Sequence, residues 1–393
     1  SAQYGYTDCA EALLTAKANV DQIAGMSLTA LYAACLNHHD QIAATLIAAD
    51  ASLEIEHAAS GRPPLAAACL ASAVACVRVL LAAKAQIDHA DKKQMTPLMH
   101  ACDNANPTCT QMLLAAGASV NRTDCEHWAP LHLACHAGDP QSVELCLAAG
   151  AVVDLVCLST QETPLLTACE STEFIEPGPI AGQSTATRRA ACVSLVINAR
   201  ADLNYQRPST KDRQGLSALH SCCIFVDRLE CVKLLLSAKA DANLPLGAPH
   251  GVCDDWDYLA KLTETPICKS CLAGNVEAMK LLLQSRADVS RQYGSDDYGY
   301  PRYIGGDPAP STVLDIALYM KKDACVTLLR AAGAISLHEA AAAAAAAELL
   351  AEEEEEQNGK SKKVEKKKAQ KEKAKQRKQQ QQQQQQEPQE QQG

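Results

Sequence analysis

The sequence predicts an all-α solenoid of stacked helix–turn–helix repeats with short β-hairpin fingers, followed by a charged, low-complexity C-terminal tail. The first observation is a recurring string. Thr96–Asn121 reads TPLMHACDNANPTCTQMLLAAGASVN, and Ala129–Asp154 reads APLHLACHAGDPQSVELCLAAGAVVD. The second observation is composition, because 47% of residues are hydrophobic yet only two are Phe and two are Trp. A core of Ala, Leu, Val and Cys allows close helix packing and favours thin layers.

The repeat has a period of 33 or 34 residues in the N-terminal half. Its first position falls at Thr29, Pro63, Thr96, Ala129, Thr163, Ser217, Thr265 and Thr312. The strings TPLMHAC, APLHLAC, TPLLTAC, SALHSCC and TPICKSC share this phase. This period and the Thr-Pro-Leu-His-x-Ala signature resemble the ankyrin-repeat family. The resemblance implies an ankyrin-repeat array over residues 1–335, with a partial first repeat at 1–21 and eight further repeats.

Each repeat carries signals for the start and end of its helices. A proline in the first helical turn loses no intrahelical hydrogen bond, and four repeats have one: Pro97, Pro130, Pro164 and Pro266. A left-handed glycine ends second helices, as at Gly117, Gly150 and Gly333. Charged residues occupy that place in four other repeats, where we expect weaker caps: Lys84, Arg200, Lys239 and Arg286. Polar residues then begin the turn into the next unit: Asn121, Asp154, Asn204 and Asn243.

The regular spacing is broken by three insertions and by both ends of the chain. The insertions lie near 170–189, 244–264 and 291–311; we expect the first, Glu170–Arg189, to be a surface loop. Before Asp21 a single helix is readable and the chain opens at Ser1 without Met, so a fragment and an open-faced capping helix both remain interpretations.

Ser336 and Glu339 have capping-box spacing, which predicts an Ala-rich helix over 336–351. Residues 352–393 form an acidic, basic and poly-Gln tail, expected to be disordered or partly helical.

Twelve of the nineteen cysteines recur at two positions of the repeat. Seven lie six residues after its first position: Cys35, Cys69, Cys102, Cys135, Cys169, Cys223 and Cys271. Five open second helices: Cys76, Cys109, Cys192, Cys231 and Cys325. Equivalent helices in neighbouring layers pack roughly 8–10 Å apart, too far for a disulfide, whose Cα atoms lie within about 7 Å. We therefore expect a ladder of reduced, buried thiols that act as small hydrophobic residues.

Metal and catalytic sites are disfavoured. His132 and His136, with Cys135 between them, have the i,i+4 spacing of a zinc pair, but His132 is the histidine of the repeat signature. Cys268 and Cys271 form a lone CxxC, whereas zinc needs three or four convergent ligands. The sequence has no nucleophile elbow, phosphate loop or HExxH string. We therefore predict a chain that is not an enzyme and has no cofactor or metal.

The charge distribution and the targeting signals limit the classes of partner and the cellular locations that we expect. The net charge is −10, and the tail from Ser336 is neutral, so residues 1–335 carry all of it. The acidic charge of residues 1–335 disfavours the binding of nucleic acid. The segment that could bind it is Lys360–Lys378, with eleven basic and two acidic residues. No apolar run approaches the ~18 residues of a membrane span, no signal peptide opens the chain, and no obligate oligomer is implied. We expect a cytoplasmic or nuclear location.

The few aromatic residues concentrate on predicted fingers and predict a partner-binding surface. Aromatic residues at exposed tips are typical binding hot spots, and acidic neighbours favour a basic protein partner. The predicted contact residues are Trp128, Asp254, Asp255, Trp256, Asp257, Tyr258, Tyr293, Asp296, Asp297, Tyr298, Tyr300 and Tyr303. The leading interpretation is a non-catalytic scaffold or adaptor that binds through finger tips and concave face. Two alternatives remain: a nuclear regulator acting on nucleic acid through the basic tail, and the targeting region of a larger enzyme.

Overall fold

The computed structural model describes residues 2–23, 28–170, 184–208, 215–246, 264–291, 312–336, 339–340, 342–347, 350–351 and 366–377. The chain divides into two compact units, Ser1–Ala334 and Ile335–Gly393. The helices of the first unit follow the predicted phase, one pair to a repeat. None of the helices within the described ranges is both long and apolar enough to cross a membrane.

Helix α1 (Thr7–Thr15) precedes eight helix pairs. The pairs are α2 (Ala30–Leu36) and α3 (Asp40–Ala48), α4 (Pro64–Leu70) and α5 (Val74–Ala82), α6 (Pro97–Asp103) and α7 (Pro107–Ala115), α8 (Pro130–Ala137) and α9 (Pro140–Ala148), α10 (Pro164–Glu170) and α11 (Thr185–Asn198), α12 (Ala218–Ile224) and α13 (Leu229–Ser237), α14 (Pro266–Ala273) and α15 (Val276–Gln284), and α16 (Val313–Tyr319) and α17 (Asp323–Ala331). A 3₁₀ turn, Val226–Arg228, joins α12 to α13. First helices pack on neighbouring first helices, and second helices on second helices, so the repeats stack.

The first helices begin at the predicted residues because their caps satisfy the exposed N–H groups. The Thr96 hydroxyl accepts a hydrogen bond from the N–H of Met99 at 3.3 Å, and the Thr29 hydroxyl accepts one from Tyr32 at 3.2 Å. The predicted prolines, Pro97 among them, are the first residues of their helices. Threonine at the N-cap, proline after it, or both therefore mark the start of most first helices.

The second helices end in the left-handed conformation whether or not glycine is present. Gly117, Gly150 and Gly333 have φ of 94°, 83° and 83°. The charged residues at the same place also have positive φ: Lys84 at 66°, Arg200 at 67°, Lys239 at 69° and Arg286 at 61°. Because a side chain disfavours this region, the stack imposes the conformation on these four residues, and their weaker caps stay a prediction.

A line of side-chain acceptors ties each repeat to the next. The polar residue after a second helix accepts a hydrogen bond from a backbone N–H at the corresponding turn of the following repeat. The pairs are Asp21 with Ser52 (2.9 Å), Glu54 with Gln86 (2.8 Å), Asp88 with Ser119 (3.0 Å), Asn121 with Val152 (2.8 Å), Asp154 with Asp202 (3.0 Å), Asn204 with Asp241 (2.9 Å) and Asn243 with Asp288 (2.7 Å). The polar residues predicted to begin the turns thus bond across the interface between repeats.

Repeat six departs from the loop expected between its helices. Helix α11 begins at Thr185, so the segment predicted as a loop up to Arg189 is helical at its end. Arg188 and Arg189 are each only 3% exposed, and Arg189 pairs with Asp227 at 2.9 Å. The burial of both arginines and the ion pair of Arg189 accompany the extension of this helix toward its N-terminus. The predicted loop residues 171–183 lie outside the described residues.

The second unit shows the predicted capping box. The Ser336 hydroxyl accepts from the N–H of Glu339 at 3.0 Å, and the Glu339 carboxylate accepts from the N–H of Ser336 at 3.0 Å. Residues 342–347 and 366–377 are helical, and their described side chains are exposed. The other residues of the predicted tail lie outside the described residues.

Candidate partner-binding surface

Trp128 is the predicted contact residue that the structure describes. The other eleven, on the fingers 244–264 and 291–311, lie outside the described residues. Trp128 ends a finger formed by residues 124–128. The N–H of Asp124 donates to the carbonyl of Trp128 at 3.1 Å, and the Asp124 carboxylate accepts from the N–H groups of Glu126 and Trp128 at 2.9 and 2.8 Å. His127 completes the turn with φ of 66°.

The Trp128 ring lies beside two histidines of α8. Its centroid is 6.0 Å from that of His132 and 5.5 Å from that of His136, both edge-on. Trp128 and His136 are half-buried, whereas His132 is buried. Next to Trp128, the exposed tip residues are Cys125, Glu126 and His127. The sequence predicts Trp128 as a contact residue but does not predict these three neighbours. Only their position in the turn next to Trp128 could have indicated them.

His132 is a structural histidine. Its Nδ1 accepts from the N–H of Ala129 at 3.3 Å, and its Nε2 donates to the carbonyl of Glu162 at 3.2 Å, so both ring nitrogens are occupied. Burial lowers the pKa of His132 to about 4, which keeps the ring neutral. His220 repeats the arrangement toward the Glu264 carbonyl, and burial lowers its pKa to about 3. The signature histidine therefore joins its own helix to the next finger.

Backbone hydrogen bonds join successive fingers into a row. We define the finger row as residues 57–61, 91–95, 124–128 and 157–161. The N–H of Lys92 donates to the carbonyl of Ser60 at 3.0 Å, and the N–H of Cys125 donates to the carbonyl of Lys93 at 2.9 Å. The Cys157 thiol continues the row to the carbonyl of Glu126 at 3.1 Å.

The predicted β-hairpin character is limited to two backbone hydrogen bonds around the turn of each finger. The N–H of His57 donates to the carbonyl of Arg62 at 2.9 Å, and the N–H of Asp91 donates to that of Met95 at 3.0 Å. The described fingers contain no strand, because each closes around a turn too short for a ladder. They are therefore hydrogen-bonded turns, held by their neighbours rather than by a sheet.

Charged side chains strengthen the row in repeats three and four. Asp91, 3% exposed, accepts from His100 Nε2 at 3.2 Å and pairs with Arg62 at 3.4 Å. Burial alone would raise the pKa of Asp91, but hydrogen bonds from His100 and from backbone N–H groups lower it. His89 lies between Glu54 and Glu56, with nitrogen–oxygen distances of 2.7 and 2.9 Å.

The repeat cysteines are buried as predicted. All twelve are at most 1% exposed, and each is a free thiol. Cys268 and Cys271 are buried in α14, and burial raises the pKa of the Cys268 thiol. In the part of the chain that the structure describes, three or more metal-capable side chains do not cluster anywhere.

Stacked helix pairs with a hydrogen-bonded finger row define the class of α-helical repeat proteins. Family models match residues 49–124 as ankyrin repeats in three copies, and residues 126–157 and 214–245 as single ankyrin repeats. Over these residues the chain consists of ankyrin repeats. Ankyrin repeats are generally protein–protein interaction modules and typically not enzymes.

One solved structure with this kind of repeat is that of the human ASB11 ankyrin repeat domain. It is 23% identical in sequence, with a TM-score of 0.47, over 61% of this chain and 95% of that chain. This distant likeness says nothing about the function of the present chain. No curated protein sequence matches the chain significantly.

Proposed function

We propose that this chain is a non-catalytic protein-binding scaffold or adaptor, which contacts its partners through finger tips and the adjoining concave face. The finger row carries the proposal: hydrogen bonds between repeats fix the tips, and half-exposed Trp128 is part of that row. A surface that is already ordered loses little conformational entropy on binding. The general role of ankyrin repeats as interaction modules supports the same function.

We place the main contact on the two long fingers, 244–264 and 291–311. They contain Trp256, Tyr293, Tyr298, Tyr300 and Tyr303. Large rings offer much contact area for little loss of rotamer freedom. The aspartates beside them favour a basic partner, whose association rate would fall as salt is added. Trp128, on the finger row, is a further predicted contact residue.

The test compares two variants of the full chain with a matched aromatic control. A partner is captured from lysate with the wild-type chain, identified by mass spectrometry, purified, and its dissociation constant is measured. We expect the double variant W256A and Y300A to lose ~2 kcal/mol of binding free energy or more, with unchanged helicity. Tyr4→Ala, which removes a ring that is 70% exposed at the N-terminal end, should bind as wild type. Normal binding by the double variant together with loss of binding in Trp128→Ala would move the contact to the N-terminal repeats.

A second candidate function is nucleic-acid binding through the basic tail. Helical residues 366–377 expose every side chain, including three successive lysines, Lys366 to Lys368. Exposed cations on one short helix can neutralise phosphates and release counterions. Changing these three lysines and Lys371 to Gln in the full chain should weaken RNA or DNA binding and flatten its salt dependence. Equal binding of wild type and variant would remove this candidate and leave the scaffold proposal standing.

Two further parts of the proposal concern cellular context. A binding array of this kind would act in the cytoplasm or nucleus, where thiols stay reduced. The array could also be the targeting region of a larger enzyme, in which case the captured partner would be that enzyme's substrate. Localisation of the tagged protein and the full reading frame would test these two statements directly.

A further inference from the structure

Buried thiols of neighbouring repeats interact at several places along the array. The Sγ atoms of Cys102 and Cys146 are 3.8 Å apart. Three other pairs of thiols interact, with the second-helix cysteine about one turn nearer the start of its helix than Cys146: Cys35 with Cys76, Cys69 with Cys109, and Cys271 with Cys325. We call these four the thiol pairs. In each, a first-helix cysteine of one repeat meets a second-helix cysteine of the next, from α2 to α5, α4 to α7, α6 to α9 and α14 to α17.

These contacts differ from the ones that cysteines at equivalent positions of neighbouring helices would make. Equivalent first-helix positions are a full layer apart, whereas a diagonal contact from a first helix to the following second helix brings the sulfur atoms together. Cys102 and Cys146 are completely buried, and the Cys102 thiol also contacts the Thr110 hydroxyl at 3.8 Å. A disulfide has an S–S length of about 2.05 Å, so these sulfurs would have to approach by about 1.8 Å. Side-chain rotation and small helix shifts can supply such a distance.

In two of the thiol pairs the two thiols are chemically unequal. The hydrogen bond from Cys35 lowers the pKa of Cys76, and that from Cys69 lowers the pKa of Cys109. Thiolate is the form that reacts with peroxides and with sulfenic acids. In these two pairs one thiol thus ionises more readily. By contrast, hydrogen bonding to Cys146 and burial raise the pKa of Cys102, and burial raises the pKa of Cys271 and Cys325. In all four pairs a second thiol lies beside the first and can resolve an oxidised product.

We propose that the thiol pairs are oxidation sites at which a peroxide forms disulfides between neighbouring repeats. One thiolate attacks a peroxide oxygen, the O–O bond breaks, and the cysteine becomes a sulfenic acid while one water leaves after proton uptake. The partner thiol attacks that sulfur, the S–O bond breaks, and a second water leaves. The two sulfurs together lose two electrons, and hydrogen peroxide is reduced to two waters.

Access to these buried sulfurs depends on transient opening of the repeats. Repeats at the ends of an array open more readily than those in the middle. Cys271 and Cys325 join the last two repeats, so this pair should oxidise before Cys102 and Cys146. Exposed Cys9 and Cys125 have no thiol partner of this kind among the described residues and serve as internal references.

The experiment maps disulfides in the full chain. Reduced protein, freed of reductant, is exposed to hydrogen peroxide and quenched with acid; remaining thiols are then alkylated in denaturant. Peptides are identified by tandem mass spectrometry after two proteases. We expect a Cys102–Cys146 linked peptide that lacks two hydrogen atoms and disappears on reduction, with the Cys271–Cys325 link formed several-fold faster. Cys125→Ser, which removes an exposed thiol, should leave both links unchanged.

The opposite result is equally clear. If Cys102 and Cys146 are both alkylated in the oxidised wild-type chain while Cys9 and Cys125 are oxidised, the proposal is wrong. In Cys146→Ser, Cys102 should remain alkylatable after the same treatment, and an equally extensive link from Cys102 to another cysteine would contradict the specific pairing. The wild-type map alone decides the question should this variant fail to fold.

Discussion

Asn121 offers a direct measure of how strongly one repeat holds the next. Its side-chain oxygen accepts from the N–H of Val152 at 2.8 Å, and its amide donates to the carbonyl of Gly150 at 3.1 Å. Both bonds cross the interface between repeats four and five. A typical hydrogen bond contributes about 0.5–1.5 kcal/mol net, and these are exposed, so water can replace part of each. We expect Asn121→Ala to lower the free energy of unfolding by about 1–2 kcal/mol.

The matched variant Asn121→Asp separates the two bonds. Aspartate keeps the acceptor for Val152 and loses the donor to Gly150, so it should cost about half as much as alanine. Asp88 and Asp154 already occupy the equivalent place in neighbouring repeats, which shows that the turn accepts a carboxylate.

Urea unfolding followed by circular dichroism measures both variants. With a slope of roughly 2–3 kcal/mol per molar, a loss of about 1.5 kcal/mol lowers the midpoint by about half a molar. An unchanged midpoint in Asn121→Ala, or a lower one in Asn121→Asp than in Asn121→Ala, would refute the reasoning.

Three further predictions concern the same array. Burial opposes protonation of His89, but its hydrogen bonds to Glu54 and Glu56 raise its pKa; this stabilisation is complete below the unfolded pKa near 6.5 and declines as pH rises through the higher folded value. The stability difference between wild type and His89→Gln, up to about 1 kcal/mol, should therefore be larger at pH 5.5 than at pH 8.5, and thermal melts showing the reverse trend would contradict it. Leu113 is completely buried, so Leu113→Ala should cost about 2–5 kcal/mol through loss of packing and a cavity, measured by the urea midpoint. Arg286 has φ of 61°, so Arg286→Gly should raise the midpoint by the equivalent of up to about 1 kcal/mol; a lower midpoint would mean that its side chain stabilises the cap.

The sequence predicts the repeat elements well because their signals are local. Proline and threonine at Pro97 and Thr96 mark a helix start, and Gly117 marks a helix end, with no knowledge of neighbouring repeats. The period also places Lys84 and Gly117 at the same position of the repeat, and both have positive φ.

Features that depend on contacts between repeats could not be predicted in the same way. The period shows that Cys35 and Cys69 are equivalent, but the Cys35–Cys76 contact depends on how two repeats are rotated when they stack. The start of α11 at Thr185 likewise goes with the burial of Arg188 and Arg189. Because arginine is mostly exposed in proteins, the sequence gives no sign of this burial. The positions of the predicted contact residues other than Trp128 rest on the sequence alone. Their role in binding stays a prediction.

The buried Arg228 makes one junction of the array unlike the others. It is 2% exposed, donates to the carbonyl of Cys169 in the preceding repeat and to the Ser221 hydroxyl, and its guanidinium lies 3.7 Å from the centre of the Phe225 ring. Repeats three to five, by contrast, meet through similar side chains at similar spacing. Gene duplication or engineered shuffling could copy or exchange those repeats and keep working interfaces. Repeat seven, however, carries a buried cation whose carbonyl acceptor lies in repeat six, so repeats six and seven should be inherited as one block.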